Sequence, residues 1–252
     1  MRTRWSVEIK RRHDCTLRQR SGATDPGRFL RKDLVSRTEA TMKISTVHLF
    51  VFDTMSDWEY GYLAAGINNP QFQQSPGKYG IKTVSLSGKP VVSIGGLRVT
   101  ADMTLEKLMP KNSAMLVLPG GIAWDKKKNK QAAALAAEFL AQGVHVAAIC
   151  GATAGLARAG VLDNIAHTSN SKDYIAQTGY KGLSHYRDKP AVASGNLITA
   201  SAMNPVDFAR EIFDTLGLYS DAVLKAWYNL YKTGNAKYFV DFMKAAGIQK
   251  DS

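Results

Sequence analysis

Cys150 stands where the apolar run Val144-His145-Val146-Ala147-Ala148-Ile149 gives way to the small residues Gly151-Ala152-Thr153-Ala154-Gly155. The pattern predicts a buried strand that turns sharply into a helix, a corner that lifts one side chain out of the sheet. The helix N-terminus behind the sulfur carries partial positive charge and would lower the thiol pKa, favouring the thiolate that attacks electrophiles. The competing reading is a small buried hydrophobe at a tight turn.

Other residues are expected near this corner, because reactive groups of an open parallel sheet gather outside the carboxyl ends of its strands. Leu118-Pro119-Gly120-Gly121 ends a second apolar run. Glycines there, like Gly151 after the cysteine, let backbone N–H groups approach an oxyanion, so Gly120, Gly121 and Gly151 are the candidates for that role. Glu59 follows the first strand within Ser56-Asp57-Trp58-Glu59. A carboxyl beside a cysteine can hold a proton, hydrogen-bond the thiolate or act as general acid and base. Taken by itself, Glu59 also reads as a solvated carboxylate near a helix start.

The five histidines are His13, His48, His145, His167 and His185. His48 and His145 fall inside strands, where a structural role is expected. His167 and His185 lie downstream of the corner, and either could orient or activate Cys150; His167, expected at a strand end, is the first choice. No two ligand-type residues have zinc-site spacing, so neither metal nor cofactor is expected.

The elements that must position these groups alternate. Strands are expected over 46–52, 81–87, 114–118 and 144–149, with a Gly95-Gly96 hairpin joining 91–94 to 97–100. Two weaker strands are expected over 191–193 and 197–200. Helices are expected over 57–66, capped by Ser56 or Asp57, over 130–142, after Cys150, and over 205–216 behind an Asn204 cap and Pro205. Two aromatic-rich helices, 221–231 and 236–246, close the chain. Such alternation indicates an α/β protein with a mostly parallel sheet covered on both faces.

Composition sets the bounds. The 252 residues carry a net charge of +12, and residues 1–41, with 11 Lys/Arg and 5 Asp/Glu, hold half of that excess. This segment reads as a disordered basic tail, an Arg-rich transit peptide, or sequence upstream of a true start at Met42. The abrupt onset of order at Met42 favours the last. Without it the charge is ordinary for a globular domain, so nucleic acid is not an expected partner. Two cysteines form no disulfide framework and suit a reducing compartment. No run is long enough to span a membrane. The expected division is a basic extension, 1–41, an α/β domain, 42–218, and a helical extension packed on it, 219–252.

Taken together, Ser56-Asp57-Trp58-Glu59, Leu118-Pro119-Gly120-Gly121, Ala148-Ile149-Cys150-Gly151-Ala152-Thr153 and Leu197-Ile198-Thr199-Ala200 resemble the PfpI family. This is the branch of class I glutamine amidotransferase-like proteins that includes the parkinsonism-associated deglycase. The likeness covers residues 43–218. It implies a flavodoxin-like three-layer sandwich, usually a homodimer, with Cys150 as elbow cysteine and Glu59 as its acidic partner. Peptidase-like members, and many glyoxalase-like ones, carry histidine directly after the nucleophile, where this chain has Gly151. Glutamine amidotransferases proper use a distant His-x-Glu pair, and the matching stretch from Thr199 to Pro205 has no histidine.

The resemblance therefore implies a cytoplasmic, stress-protective protein in which Cys150 attacks small carbonyl electrophiles, as in a glyoxalase or deglycase. The alternatives are a redox sensor or chaperone using the same cysteine, a small-molecule amidase or hydratase, and a glutamine amidotransferase-like hydrolase.

Overall fold

The computed structural model describes residues 44–248; the basic segment 1–41 lies outside them. A seven-stranded sheet forms the centre, in the order β5-β2-β1-β6-β7-β9-β8. Its strands are β1 (Ser45–Phe50), β2 (Tyr79–Ser85), β5 (Met103–Thr104), β6 (Met115–Leu118), β7 (His145–Ile149), β8 (Ala191–Ser194) and β9 (Leu197–Ala200). All neighbours pair in parallel except β8, which runs antiparallel to β9. A separate antiparallel pair, β3 (Val91–Val92) and β4 (Arg98–Val99), makes the expected hairpin, with Gly96 (φ +82°) supplying the left-handed residue of its turn.

Helices cover the sheet: α1 (Asp57–Asn68), α2 (Ile122–Asp125), α3 (Lys130–Ala141), α4 (Gly151–Arg158), α5 (Lys172–Ala176), α6 (Pro205–Leu216), α7 (Asp221–Thr233) and α8 (Lys237–Ala245). Central strands buried on both faces must be apolar throughout. Accordingly, every residue of β6, and Val146 through Ile149 of β7, is fully buried. The mostly parallel sheet indicated by the alternation, and the flavodoxin-like sandwich implied by the resemblance, are the observed architecture.

Several local expectations are corrected. The second strand begins at Tyr79 and ends at Ser85, two residues earlier than the apolar pattern indicated. The short elements β5, α2 and α5 have too few residues to show a period and were not foreseen. Asn204 occupies the N-cap position of α6 without capping it. Its Nδ2 donates to Ser201 Oγ (2.6 Å), and its Oδ1 accepts from Lys232 (3.3 Å). His167 lies in an isolated bridge with Tyr186 rather than at a strand end.

The last two helices pack by their aromatic rings. Trp227 of α7 meets Phe213 of α6 (5.0 Å between centroids) and Tyr62 of α1 (6.2 Å), while Phe242 of α8 meets Phe72 (4.5 Å). Buried rings of this size dominate core energetics. They hold α1 through Tyr62, one turn after Glu59, and the segment that follows α1 through Phe72.

The chain runs outward from β1 to β2 and then returns to β6 on the other side of β1. That reversal of direction opens a crevice at the carboxyl ends of β1 and β6. Glu59 enters it from the first turn of α1, Gly120 and Gly121 from the end of β6, and Cys150 from the end of the adjacent β7.

Candidate active site

Cys150 is the junction residue between β7 and α4, and its backbone lies at φ +58°, ψ −128°. A left-handed φ at a non-glycine residue costs about 1–3 kcal/mol and persists only where the surroundings enforce it. Three hydrogen bonds do so. The Cys150 N–H donates to Ala200 O (3.0 Å), and the Cys150 carbonyl accepts from Thr153 N–H (3.1 Å) and Thr153 Oγ1 (2.6 Å). The strand–corner–helix expectation holds, and the side chain is half-buried rather than sealed in the core.

Glu59 faces it from α1. The side chain is 2% exposed, and Oε2 accepts the Gly120 N–H at 2.5 Å. Oε1 has no hydrogen-bond partner. Gly120 sits between the two groups so closely that a methyl group on its Cα would lie 2.5 Å from Cys150 Cβ and 2.7 Å from Glu59 Oε2. Only glycine fits there. Its N–H is committed to the carboxylate, so the expectation that Gly120 serves an oxyanion is corrected: it positions Glu59. The N–H groups of Gly121 (φ +148°) and Gly151 make no backbone hydrogen bond, and the Gly151 N–H is directed at the Cys150 sulfur.

The third partner of the sulfur is Asn170. Its Nδ2 donates to Cys150 Sγ at 3.5 Å while its Oδ1 accepts the Ala202 N–H at 2.9 Å, which fixes the amide orientation. His167, three residues earlier, is fully buried and turned away. Its Nδ1 bonds Ile165 O and its Nε2 bonds Tyr180 OH, both at 2.8 Å. With both ring nitrogens engaged, His167 has none left for Cys150, and the structure puts Asn170 in the place the sequence reading gave it. Tyr174, donating to Asp125 Oδ1 at 2.7 Å, lies within electrostatic reach of the sulfur. The sequence signalled neither residue: Asn170 and Tyr174 sit in a loop and a five-residue helix without periodicity.

The electrostatics reverse one expectation. Burial raises the Glu59 carboxyl above the ordinary range, against the lowering effect of the Gly120 N–H, the Cys150 thiol and the Ser56 hydroxyl. Burial also pushes the Cys150 thiol up to about 12, and the negative charge of Glu59 adds to the rise. Asn170 and the Gly151 N–H act in the opposite direction. The helix N-terminus is thus outweighed, and the lowered thiol pKa anticipated from the corner is not found. The two groups are coupled: both cannot carry charge side by side, so at least one proton resides on the pair. When Glu59 holds it, its charge no longer opposes the thiolate.

These features define a cysteine–carboxyl site at the elbow of a flavodoxin-like sheet. Residues 45–215 match the DJ-1/PfpI family, and the chain belongs to it. It is 38% identical over 205 residues to the uncharacterized protease YoaZ of Bacillus subtilis, covering 80% of this chain and 98% of that protein. A more distant relative is the deglycase PH1704 of Pyrococcus horikoshii, 32% identical over 108 residues, 42% of this chain and 63% of that one. Among solved structures, the thiJ/pfpI family protein of Bacillus anthracis superposes with a TM-score of 0.75 at 38% identity, covering 81% of this chain and 98% of that chain.

Proposed function

We propose that this protein uses Cys150 to add to small carbonyl compounds of the α-oxoaldehyde type, with Glu59 moving the proton. The observation that carries the reading is the buried Glu59 carboxyl, whose Oε2 is held by the Gly120 N–H beside Cys150 and whose Oε1 has no partner. In the first step a carbon–sulfur bond forms while the carbonyl π bond opens. Glu59 takes the thiol proton, and the new alkoxide, facing the Gly121 and Gly151 N–H groups, receives it as a hemithioacetal. Transfer of the former aldehyde hydrogen to the neighbouring carbon, as a proton, yields a 2-hydroxy thioester. Water then releases the hydroxy acid and restores the thiol. The former aldehyde carbon is oxidised to the acyl level as its neighbour is reduced to an alcohol, so no outside oxidant or reductant is needed.

The relative named a deglycase supports carbonyl chemistry, whereas the relatives named proteases are themselves uncharacterized. Gly151 in place of a histidine, and His167 turned away, both weigh against peptide hydrolysis. The same reading includes a homodimer in the cytoplasm acting in stress protection; no helix among the described residues is long and apolar enough to cross a membrane. Incubation with methylglyoxal tests the activity: the wild type should consume it and Cys150→Ser should not. Equal rates in the two proteins would refute the reading.

The unpartnered Oε1 also favours a second use of the site. Stepwise oxidation of Cys150 by peroxide, two equivalents giving a sulfinate and two waters, would place an oxygen where a protonated Glu59 can donate to it. Peptide-resolved mass measurement after peroxide titration should show two added oxygens on Cys150 in the wild type and none on the same peptide of Cys150→Ser, whatever Cys15 takes up.

A further inference from the structure

A second cleft lies on the far side of Trp124 from Cys150. The Trp124 Cβ approaches Gly151, and its indole ring packs against Gly155 one turn along α4. Beyond it, Trp124, Ala133, Ala134, Gly155 and Ala159 form an apolar slot between the start of α3 and the end of α4. The cavity measures about 350 Å³, within the range of small-molecule sites. Lys127, Lys130 and Arg158 stand around it, and no acidic residue lines it. None of the three has an ion-pair partner among the described residues.

Asn129 supplies an independent sign. It occupies the N-cap position of α3, where asparagine ordinarily bonds the first free N–H groups of the helix, yet its side chain caps nothing. The residue is 2% exposed, forms part of the cavity wall, and its Nδ2 has no acceptor. Buried polar groups without a partner are rare in folded proteins, and each calls for an explanation. The twelve-residue helix behind it also leaves its first N–H groups unpaired, as every helix does without a cap. The segment is nonetheless well held. Lys127 takes a left-handed φ of +56° and donates its N–H to Trp124 O (3.0 Å), which also accepts from Arg158 Nη1 (3.1 Å).

We propose that this cleft binds a small organic anion, a phosphate or carboxylate carried on a flat apolar group. The apolar part would lie in the slot against Trp124 and the alanines. The anionic head would lie at the start of α3, drawn by Lys127, Lys130 and Arg158 and by the uncapped helix end. An anion without an apolar part would leave the slot empty, and an apolar molecule without charge would leave the cations unused. Both parts are therefore required. The site is separate from Cys150 and does not depend on the reaction proposed above.

Calorimetric titration of the full chain with phenyl phosphate, phenol and inorganic phosphate tests this. Phenyl phosphate should bind about tenfold or more tighter than either fragment. Lys127→Gln together with Lys130→Gln should weaken it about tenfold, and added salt should weaken it further. Ala134→Trp, which fills the slot from its exposed side and leaves the charges in place, should also abolish binding while the melting temperature stays near that of the wild type. The rate of Cys150 alkylation should not change when phenyl phosphate saturates. The proposal is overturned if phenyl phosphate does not bind, if phenol binds as well as phenyl phosphate, if the double lysine variant binds it as tightly as the wild type, or if the ligand shields Cys150.

Discussion

Two buried titratable side chains, Glu59 and His167, differ in what their polar atoms do. His167 is fully enclosed and fully used, with Nδ1 on Ile165 O and Nε2 on Tyr180 OH. Glu59 is almost as enclosed but half used: one oxygen holds Gly120, and the other has no partner. A satisfied buried group stabilises the fold and does nothing else, whereas an unsatisfied one retains capacity for a ligand or a reacting atom. The contrast assigns chemistry to the carboxyl and structure to the imidazole, although histidine is the residue type more often associated with proton transfer.

Substitutions at the two groups and their neighbours can break this contrast. The largest effect should come from Cys150→Ser, which lowers methylglyoxal consumption by on the order of 10³-fold or more because the step has no second nucleophile. Glu59→Gln keeps an oxygen for the Gly120 N–H but cannot relay a proton, and should cost roughly 10²–10⁴-fold in rate. The same variant should melt at a higher temperature at neutral pH. A carboxyl whose folded pKa is raised stabilises the protein fully only below its unfolded pKa, and that stability is lost as pH rises through the folded value. The amide carries no such loss.

Asn170→Ala removes a donor that holds the thiolate and should slow the reaction by about tenfold, equivalent to about 1.4 kcal/mol. Cys150 alkylation in that variant should also shift to higher pH. His167→Gln should give the smallest change in activity, within about twofold per folded molecule, while lowering stability by about 1–3 kcal/mol. Burial holds the His167 pKa below its ordinary value, so the wild type should lose stability as pH falls below the unfolded histidine pKa of about 6.5, and the glutamine variant should lose less. A large loss of turnover in well-folded His167→Gln would reverse the assignment.

The parts of the site that lie on regular elements were legible in the sequence. The apolar runs ending at Leu118 and Ile149 could only be covered strands, and the glycines and cysteine that follow them could only be turns at one edge of the sheet. The position of Glu59 after the first strand was legible, but by itself it read as a solvated carboxylate; only the family resemblance pointed to the site, and its burial is set by the packing. The residues that were missed depend on where a loop bends back. Nothing in Ala166-His167-Thr168-Ser169-Asn170 says which side chain faces the sulfur, because the answer is set by long-range hydrogen bonds from Thr168 N–H to Thr199 Oγ1 and from Ala202 N–H to Asn170 Oδ1. The thiol pKa was misjudged for a related reason. The helix N-terminus is visible in the sequence, but the depth of burial and the distance to a second charge are not.

The pH dependence of Cys150 alkylation, compared between wild type and Glu59→Gln, tests the central claim most directly. If the two groups share their protons, the wild-type thiol should react with iodoacetamide only well above the ordinary thiol range, because burial and the Glu59 charge both raise its pKa. Glu59→Gln removes the charge and should shift the profile to lower pH. Profiles that superimpose, or a shift to higher pH, would contradict a proton-coupled pair at this site.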